Sequence, residues 1–118
     1  MNYTTFKEYP LQIIGITSEY NPKIAAIENF VIADMAYSGD IEDLSEILPY
    51  FVFWCFCKDA QTTVFVETGE NAQVKEFSHP EIFKQIQAWN IGVIKLSALI
   101  SSTGETVNEK YLSKISLI

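Results

Sequence analysis

The sequence predicts a mainly α-helical (α+β) domain: a helical bundle of three to four helices, with one small β-hairpin wing and an extended carboxyl-terminal arm. Three observations lead to this fold class. Apolar residues recur at helical spacing along three segments of the chain. Before the last of these segments, two runs of strand-forming residues flank a turn sequence. Beyond the last helix, apolar and polar side chains are interleaved, as they are in an extended segment.

The composition is that of one globular domain over residues 1–118. Hydrophobic residues make up 48% of the chain and charged residues 19%. At this length, so many hydrophobic residues are enough to form a packed core. The formal net charge is −7, and the basic residues apart from one histidine are all lysines. Because phosphates are bound by clustered Lys and Arg, and bases are read mostly by Arg, specific nucleic-acid binding is not expected.

The sequence has no signature of membrane insertion or secretion. The apolar run YFVFWCFC at 50–57 is less than half of the roughly 20 residues that span a bilayer. The amino-terminal residues MNYTTFKEYP lack the basic run and apolar segment of a signal peptide. We therefore expect no membrane partner, and an intracellular compartment in which cysteines stay reduced.

Two helices are expected in the first half of the chain. The Asn-Pro pair at 21–22 suits the start of a helix over 22–38, and Gly39 suits its left-handed end. A second helix is expected over 41–60, kinked or split at Pro49 because proline lacks the N–H that a helix interior needs. The part after the proline is apolar on all sides and should be buried on most of them.

The second half is expected to contain a hairpin and a long helix. Runs of strand formers place the hairpin at about 62–77, with its turn at 68–71. Ser78 and Glu81 have the spacing of a capping box at the start of a helix over 79–101. This helix should pack lengthwise on another helix through an apolar seam. The seam consists of Ile82, Ile86, Trp89, Val93, Leu96 and Ile100.

No catalytic, cofactor or metal site is predicted. Cys55 and Cys57 would point about 200° apart on a helix, so both thiols cannot face one ion, and the chain has no third cysteine and only one histidine, His79. The cysteines are expected to act as small core hydrophobes, and His79 as a surface residue. The carboxylates between 40 and 46 lack the spacing of a calcium loop. With no phosphate, dinucleotide or nucleophile motif either, the chain is not expected to be an enzyme.

Both ends of the chain are expected to be extended segments. Residues 1–17 fit either a short strand or a docked arm. Residues 105–118 fit an arm that docks on a partner, since interleaved apolar and polar side chains suit a strand added to a sheet edge or groove. Deleting 107–118 should then leave a folded domain that no longer joins its partner.

The amount of apolar surface favours a subunit that binds other chains. Candidate interface residues come from the apolar run and from the carboxyl-terminal arm. They are Phe51, Trp54, Leu112, Ile115, Leu117 and Ile118. The alternative is that the apolar run, the seam and the arm pack on one another as the core of a monomer.

From about residue 48 to residue 100, the order of features resembles that of small head–tail connector (adaptor) proteins of tailed phages, particularly those of Bacteroidetes phages. The matching features are the aromatic helix opening LPYFVFWCF, the predicted hairpin TTVFVETGENAQVKEFS and a long helix from Ser78. The resemblance implies a structural protein of the virion, made in the host cytoplasm and placed at the head–tail interface. Its partners would be copies of itself in a ring, the portal and neighbouring tail proteins.

Two other classes of function fit the same residues. One is a small acidic binding or inhibitor protein, of the immunity or anti-defence type, whose acidic face blocks a basic partner. The other is a homodimeric interaction module built on the seam. The three classes differ in the expected mass in solution: a ring or a portal-dependent assembly, a stable monomer, or a tight dimer.

Overall fold

The computed structural model describes residues 1–9, 16–67 and 79–116, and for 60–67 and 79–82 it describes the backbone alone. Within these ranges the protein is mainly helical and has no strand, which confirms the helical class. The α-helices are α1 (Tyr3–Glu8), α2 (Asn21–Met35), α3 (Leu48–Glu67) and α4 (His79–Thr103). Short 3-10 helices lie at Ser18–Tyr20, Ile41–Leu44 and Glu109–Leu112. None of the described helices is long and apolar enough to cross a membrane.

Helix α3 is the centre of the fold because its first half is apolar on all sides. Both α2 and α4 pack along it, and α1 contacts it as well. Phe51, Val52 and Phe53 are each at most 1% exposed, which confirms the burial predicted for the stretch after the proline. Phe6 of α1 lies edge-on against Phe53, with ring centroids 5.5 Å apart. The outer helices therefore share one aromatic helix as their core.

Helix α2 confirms the helix predicted over 22–38, but it ends at Met35. Ala36, with φ 50°, takes the left-handed position that was expected for Gly39. The cause is a long-range cap. Asn108 donates its backbone N–H to the Met35 carbonyl at 2.7 Å and its side-chain amide to the preceding carbonyl at 3.0 Å. Because these bonds satisfy carbonyls that a helix end leaves unpaired, α2 stops where Asn108 reaches it.

The helix predicted over 41–60 is wrong as a single element. Ile41–Leu44 forms a 3-10 helix, a turn follows, and α3 begins at Leu48. Pro49 therefore lies in the first turn of α3 and does not kink a longer helix. Proline is tolerated there because the first N–H groups of a helix have no partner within it.

The hairpin predicted over 62–77 is wrong for its first arm. Residues 62–67 continue α3 to Glu67. The strand preference of the residues in this stretch is weak and depends on context, and adding one turn to an established helix needs no new nucleus. Residues 68–77, with the turn and the second arm, lie outside the described residues.

Helix α4 confirms the helix predicted over 79–101 and extends it to Thr103. Its seam packs against α3, and the described seam side chains are buried or half-buried. These are Ile86, Trp89, Val93, Leu96 and Ile100. Gly92 lies within the same contact, where an added Cβ would stand 2.9 Å from the ring of Phe51. A glycine at this position therefore lets the two helices approach closely.

The carboxyl-terminal segment is part of the core. Tyr111 is 1% exposed, and its ring stacks on that of Trp89 with centroids 5.3 Å apart. The prediction that 105–118 forms an arm outside the core was therefore wrong for its described part, which runs to residue 116. The segment is largely without regular structure, but it docks on α2 and α4 of its own chain.

Candidate functional site

The residues predicted as an interface lie in or beside the core of the chain. That set comprised Phe51, Trp54, Leu112, Ile115, Leu117 and Ile118. Phe51 is fully buried, while Trp54, Leu112 and Ile115 are half-buried against the core. Residues 117 and 118 lie outside the described part. In the folded chain Phe51 is thus covered by neighbouring side chains and is not available on the surface.

Trp89 is the centre of an aromatic cluster that covers Phe51. The Phe51 ring lies edge-on to it at 4.9 Å, the Trp54 ring lies at 4.8 Å, and Tyr111 stacks on it. The Trp89 indole Nε1 donates a hydrogen bond to the carbonyl of Ser113 at 2.8 Å. These are favourable geometries for aromatic pairs, and the Trp89 N–H has a hydrogen-bond partner. The cluster is therefore packed interior.

Polar side chains of α2 and α4 fix the carboxyl-terminal segment on this cluster. The Asn90 amide donates to the Ile115 carbonyl at 3.0 Å and accepts the Ile115 N–H at 2.8 Å. The Tyr111 hydroxyl donates to Asp34 Oδ2 at 2.7 Å, and Lys110 forms an ion pair with the same carboxylate. The segment thus exchanges hydrogen bonds with both outer helices.

Asp34 and Tyr111 have pKa values that are shifted in opposite directions, away from neutral pH. Hydrogen bonds from Lys110 and then from Tyr111 lower the pKa of Asp34. Burial, followed by the hydrogen bond to Asp34, raises the pKa of Tyr111 above its usual range. A general acid or base works best when its pKa lies near the operating pH. The network is therefore suited to holding the segment in place rather than to proton transfer.

The two cysteines of α3 lie in or beside the core. Cys57 is buried, Cys55 is half-buried, and neither forms a disulfide. Burial raises the pKa of Cys55 to about 11, so the reactive thiolate is scarce at neutral pH. Within the described ranges, no group of three or more His, Cys, Asp or Glu side chains could hold a metal ion. His79 is the first residue of α4, and its side chain is outside the described part.

Helix α2 presents an outward face without charge. The face consists of Pro22, Ala26, Asn29, Phe30 and Ala33, all exposed. Phe30 is 60% exposed. The charged residues of α2 lie beside this face and are paired within the chain: Lys23 with Asp59 at 2.5 Å, Glu28 with the Met1 amino group at 3.1 Å, and Asp34 with Lys110. A covering protein would have no charge to desolvate on this face.

Helix α4 presents a second outward face, which combines large apolar side chains with lysines. Phe83 and Ile94 are 50% and 54% exposed, and they lie on one line because about eleven residues make three helical turns. Lys84 and Lys95 follow them in sequence, repeat the same spacing and are exposed. We call these four residues the α4 face. Helix α4 carries no carboxylate from Ile82 onwards, so the α4 face is positively charged.

The turn between α2 and α3 carries the opposite charge. Its exposed carboxylates, here called the acidic segment, are Asp40, Glu42, Asp43 and Glu46. Ile41 lies among them and is 56% exposed. Leu44 and Ile47, 1% and 5% exposed, anchor the turn to the core. The acidic segment therefore surrounds an exposed apolar side chain with negative charge.

Sequence reasoning placed the interface in the most apolar stretches and missed these three surfaces. Phe30 and Ile41 were not assigned to any surface, and Phe83 and Ile94 were not singled out. A helical projection would have found the latter two, because both fall well outside the seam of α4.

Comparison with known proteins finds no relative of this chain. No protein family, curated protein or solved structure matches this chain significantly. The exposed surfaces and the resemblance over residues 48–100 are thus the basis for a functional proposal.

Proposed function

We propose that this chain is a structural subunit that acts by binding other protein chains, and that its assembly is the head–tail connector of a tailed phage. Copies of the chain would form a ring on the portal, at the head–tail interface of the virion, and contact neighbouring tail proteins. Two features of the resemblance support this identification: the aromatic helix that begins with LPYFVFWCF and the long helix α4. The third feature, the hairpin, is helical in its first arm and gives no support.

The observation that carries the proposal is the presence of two different faces on one copy, the α4 face and the face formed by the acidic segment. The uncharged face of α2 is a third surface, on a helix that packs on α3 and makes few contacts with α4. A ring needs two different surfaces on each copy, because each surface meets the other one on the neighbouring copy. A two-fold dimer needs only one surface. Two faces therefore favour a ring over a dimer.

The mass of the purified protein in solution tests the proposal. We expect size-exclusion chromatography with light scattering to show a multimer, and electron microscopy of the same fraction to show rings. Phe30→Glu places a charge in the α2 face, the third surface, and should weaken binding of the ring to portal or tail proteins at least about tenfold. Phe30→Leu keeps an apolar side chain there and is the matched control. A wild-type protein that stays monomeric both alone and with portal and tail proteins would contradict the proposal.

One observation favours a second candidate function, that of a small acidic binding or inhibitor protein. The acidic segment presents four exposed carboxylates without a lysine among them, and a surface of one sign attracts partners of the opposite sign. This function predicts a stable monomer that forms a salt-sensitive complex with a basic protein. The same light-scattering measurement therefore separates the two candidates.

A further inference from the structure

We infer that the α4 face of one copy binds the acidic segment of the next copy, and that this contact is repeated around the ring. The inference rests on the proposed function for the existence of a ring. The contact itself is identified from exposure and charge. Both surfaces have the same design: an exposed apolar side chain beside an exposed charge, Ile41 beside Glu42 on one and Ile94 beside Lys95 on the other.

Net charge makes the α4 face the favourable place for a second copy. A chain with a net charge of −7 repels its own copies unless positive charge is in local excess where they meet. Lys23 and Lys110 do not provide this excess, because both are paired with carboxylates. From Ile82 to the end of α4 there are two lysines and no carboxylate. The acidic segment supplies the opposite sign and brings an apolar side chain to the contact.

The charges on both surfaces are available for such a contact. Lys84, Asp40, Glu42 and Glu46 form no ion pair within the described part of the chain. The Lys95 ammonium lies 6.0 Å from the centroid of the Tyr50 ring, at the upper limit for a cation–π contact. Each surface of the isolated chain therefore keeps exposed charges and exposed apolar side chains that a neighbouring copy can contact.

The fold prevents a copy from making the whole contact with itself. The Ser38 N–H donates to the Thr106 carbonyl at 3.0 Å, which places the start of the acidic segment at the carboxyl-terminal end of α4. At its other end the segment leads into Tyr50, and the Lys95 ammonium lies 6.0 Å from the centroid of the Tyr50 ring. Lys84 lies about 17 Å farther along α4, at a rise of about 1.5 Å per residue. The acidic segment of a neighbouring copy can reach Lys84 and Phe83, whereas that of the same copy cannot. The contact is therefore between copies and joins two different surfaces, as a ring requires.

Charge reversal on each surface tests the contact. One variant carries Glu42→Lys and Glu46→Lys, and the other carries Lys84→Glu and Lys95→Glu. All four side chains are exposed, so both proteins should keep the thermal melt of the wild type. Each variant brings like charges together, and we expect assembly to need at least about a 100-fold higher protein concentration. The matched control, Lys7→Glu with Lys114→Glu, changes the net charge as the second variant does but lies elsewhere and should assemble normally.

Combining the two charge reversals restores opposite charges at the contact and is the decisive experiment. An equimolar mixture of the two variants, and a chain with all four substitutions, should assemble within about tenfold of the wild-type concentration. Normal assembly of each variant alone would overturn this contact and leave the proposed ring in place. Loss of assembly without rescue would also overturn it. A wild-type protein that is monomeric at every concentration and with its neighbours would overturn both the contact and the proposed function.

Discussion

Two segments without α-helix, residues 40–47 and 104–116, have opposite relations to the rest of the molecule. Each contains a 3-10 helix and a buried anchor, Leu44 in the first and Tyr111 in the second. The backbone N–H groups of the first bond three residues back, and its carboxylates are exposed. The second exchanges hydrogen bonds with residues on α2 and α4. A segment becomes interior when distant groups satisfy its polar atoms, and stays at the surface when its bonds are local.

The largest expected effect comes from removing the anchor of the second segment. Tyr111→Ala should lower the free energy of unfolding by about 3–5 kcal/mol, because it empties a buried site between Trp89 and Phe51. Urea unfolding followed by tryptophan fluorescence measures this loss. Glu109→Ala, at an exposed position of the same 3-10 helix, is the control and should change little. Equal effects of the two substitutions would show that the segment is not part of the core.

A smaller loss should follow when the hydrogen bonds of the segment are removed and its anchor is kept. Asn90→Ala leaves both the N–H and the carbonyl of Ile115 without their side-chain partner, and should cost about 1–3 kcal/mol. Gln87→Ala, exposed on the same helix, is the matched control. Hydrogen exchange at the Ile115 amide adds a local readout, since it should accelerate in the Asn90 variant alone. Unchanged exchange there would mean that the Asn90 bonds do not hold the segment.

The contribution of Asp34 should depend on pH. Its pKa is lowered in the folded protein, first by the hydrogen bond from Lys110, so its stabilising effect is complete above its ordinary value of 3.8. The effect is lost as pH falls through the lower pKa of the folded state. Asp34→Asn should therefore cost about 1 kcal/mol at neutral pH and progressively less below pH 3.8. Denaturation of both proteins across this range measures the difference, and a gap that widens in acid would contradict the assignment.

The smallest effect on stability is expected in the acidic segment. Ile41→Ser and Glu42→Gln alter exposed side chains and should change the free energy of unfolding by no more than about 0.5 kcal/mol. Thermal melts of the monomeric fraction measure this. A loss as large as that of Asn90→Ala would show that the acidic segment supports the fold as the carboxyl-terminal segment does.

Sequence patterns identified the elements whose causes are local. The apolar periodicity of α4 and the all-apolar start of α3 predicted a helix and its burial correctly. A helix boundary that depends on a residue far away in the sequence was missed. Helix α2 ends at Met35 because Asn108 caps it, and no residue near Met35 in the sequence indicates that contact. Residues 62–67 were predicted to form a strand because of their strand propensity. The stable helix that precedes them overrides this propensity. Local patterns also do not show that Phe51 is covered by Tyr111 from the far end of the described chain.

The cap that Asn108 places on α2, and the bond that Tyr111 makes to Asp34, also bear on how the fold is reached during synthesis. The partners Asp34 and Tyr111 are separated by 77 positions in sequence, so α2 leaves the ribosome long before the residues that complete its end. Until then, the ring of Trp89 lacks its stacking partner and the aromatic helix α3 lacks part of its cover. Domains fold as units during translation, and transiently exposed apolar surface promotes aggregation. The fold is therefore complete only after residues 108–111 have left the ribosome.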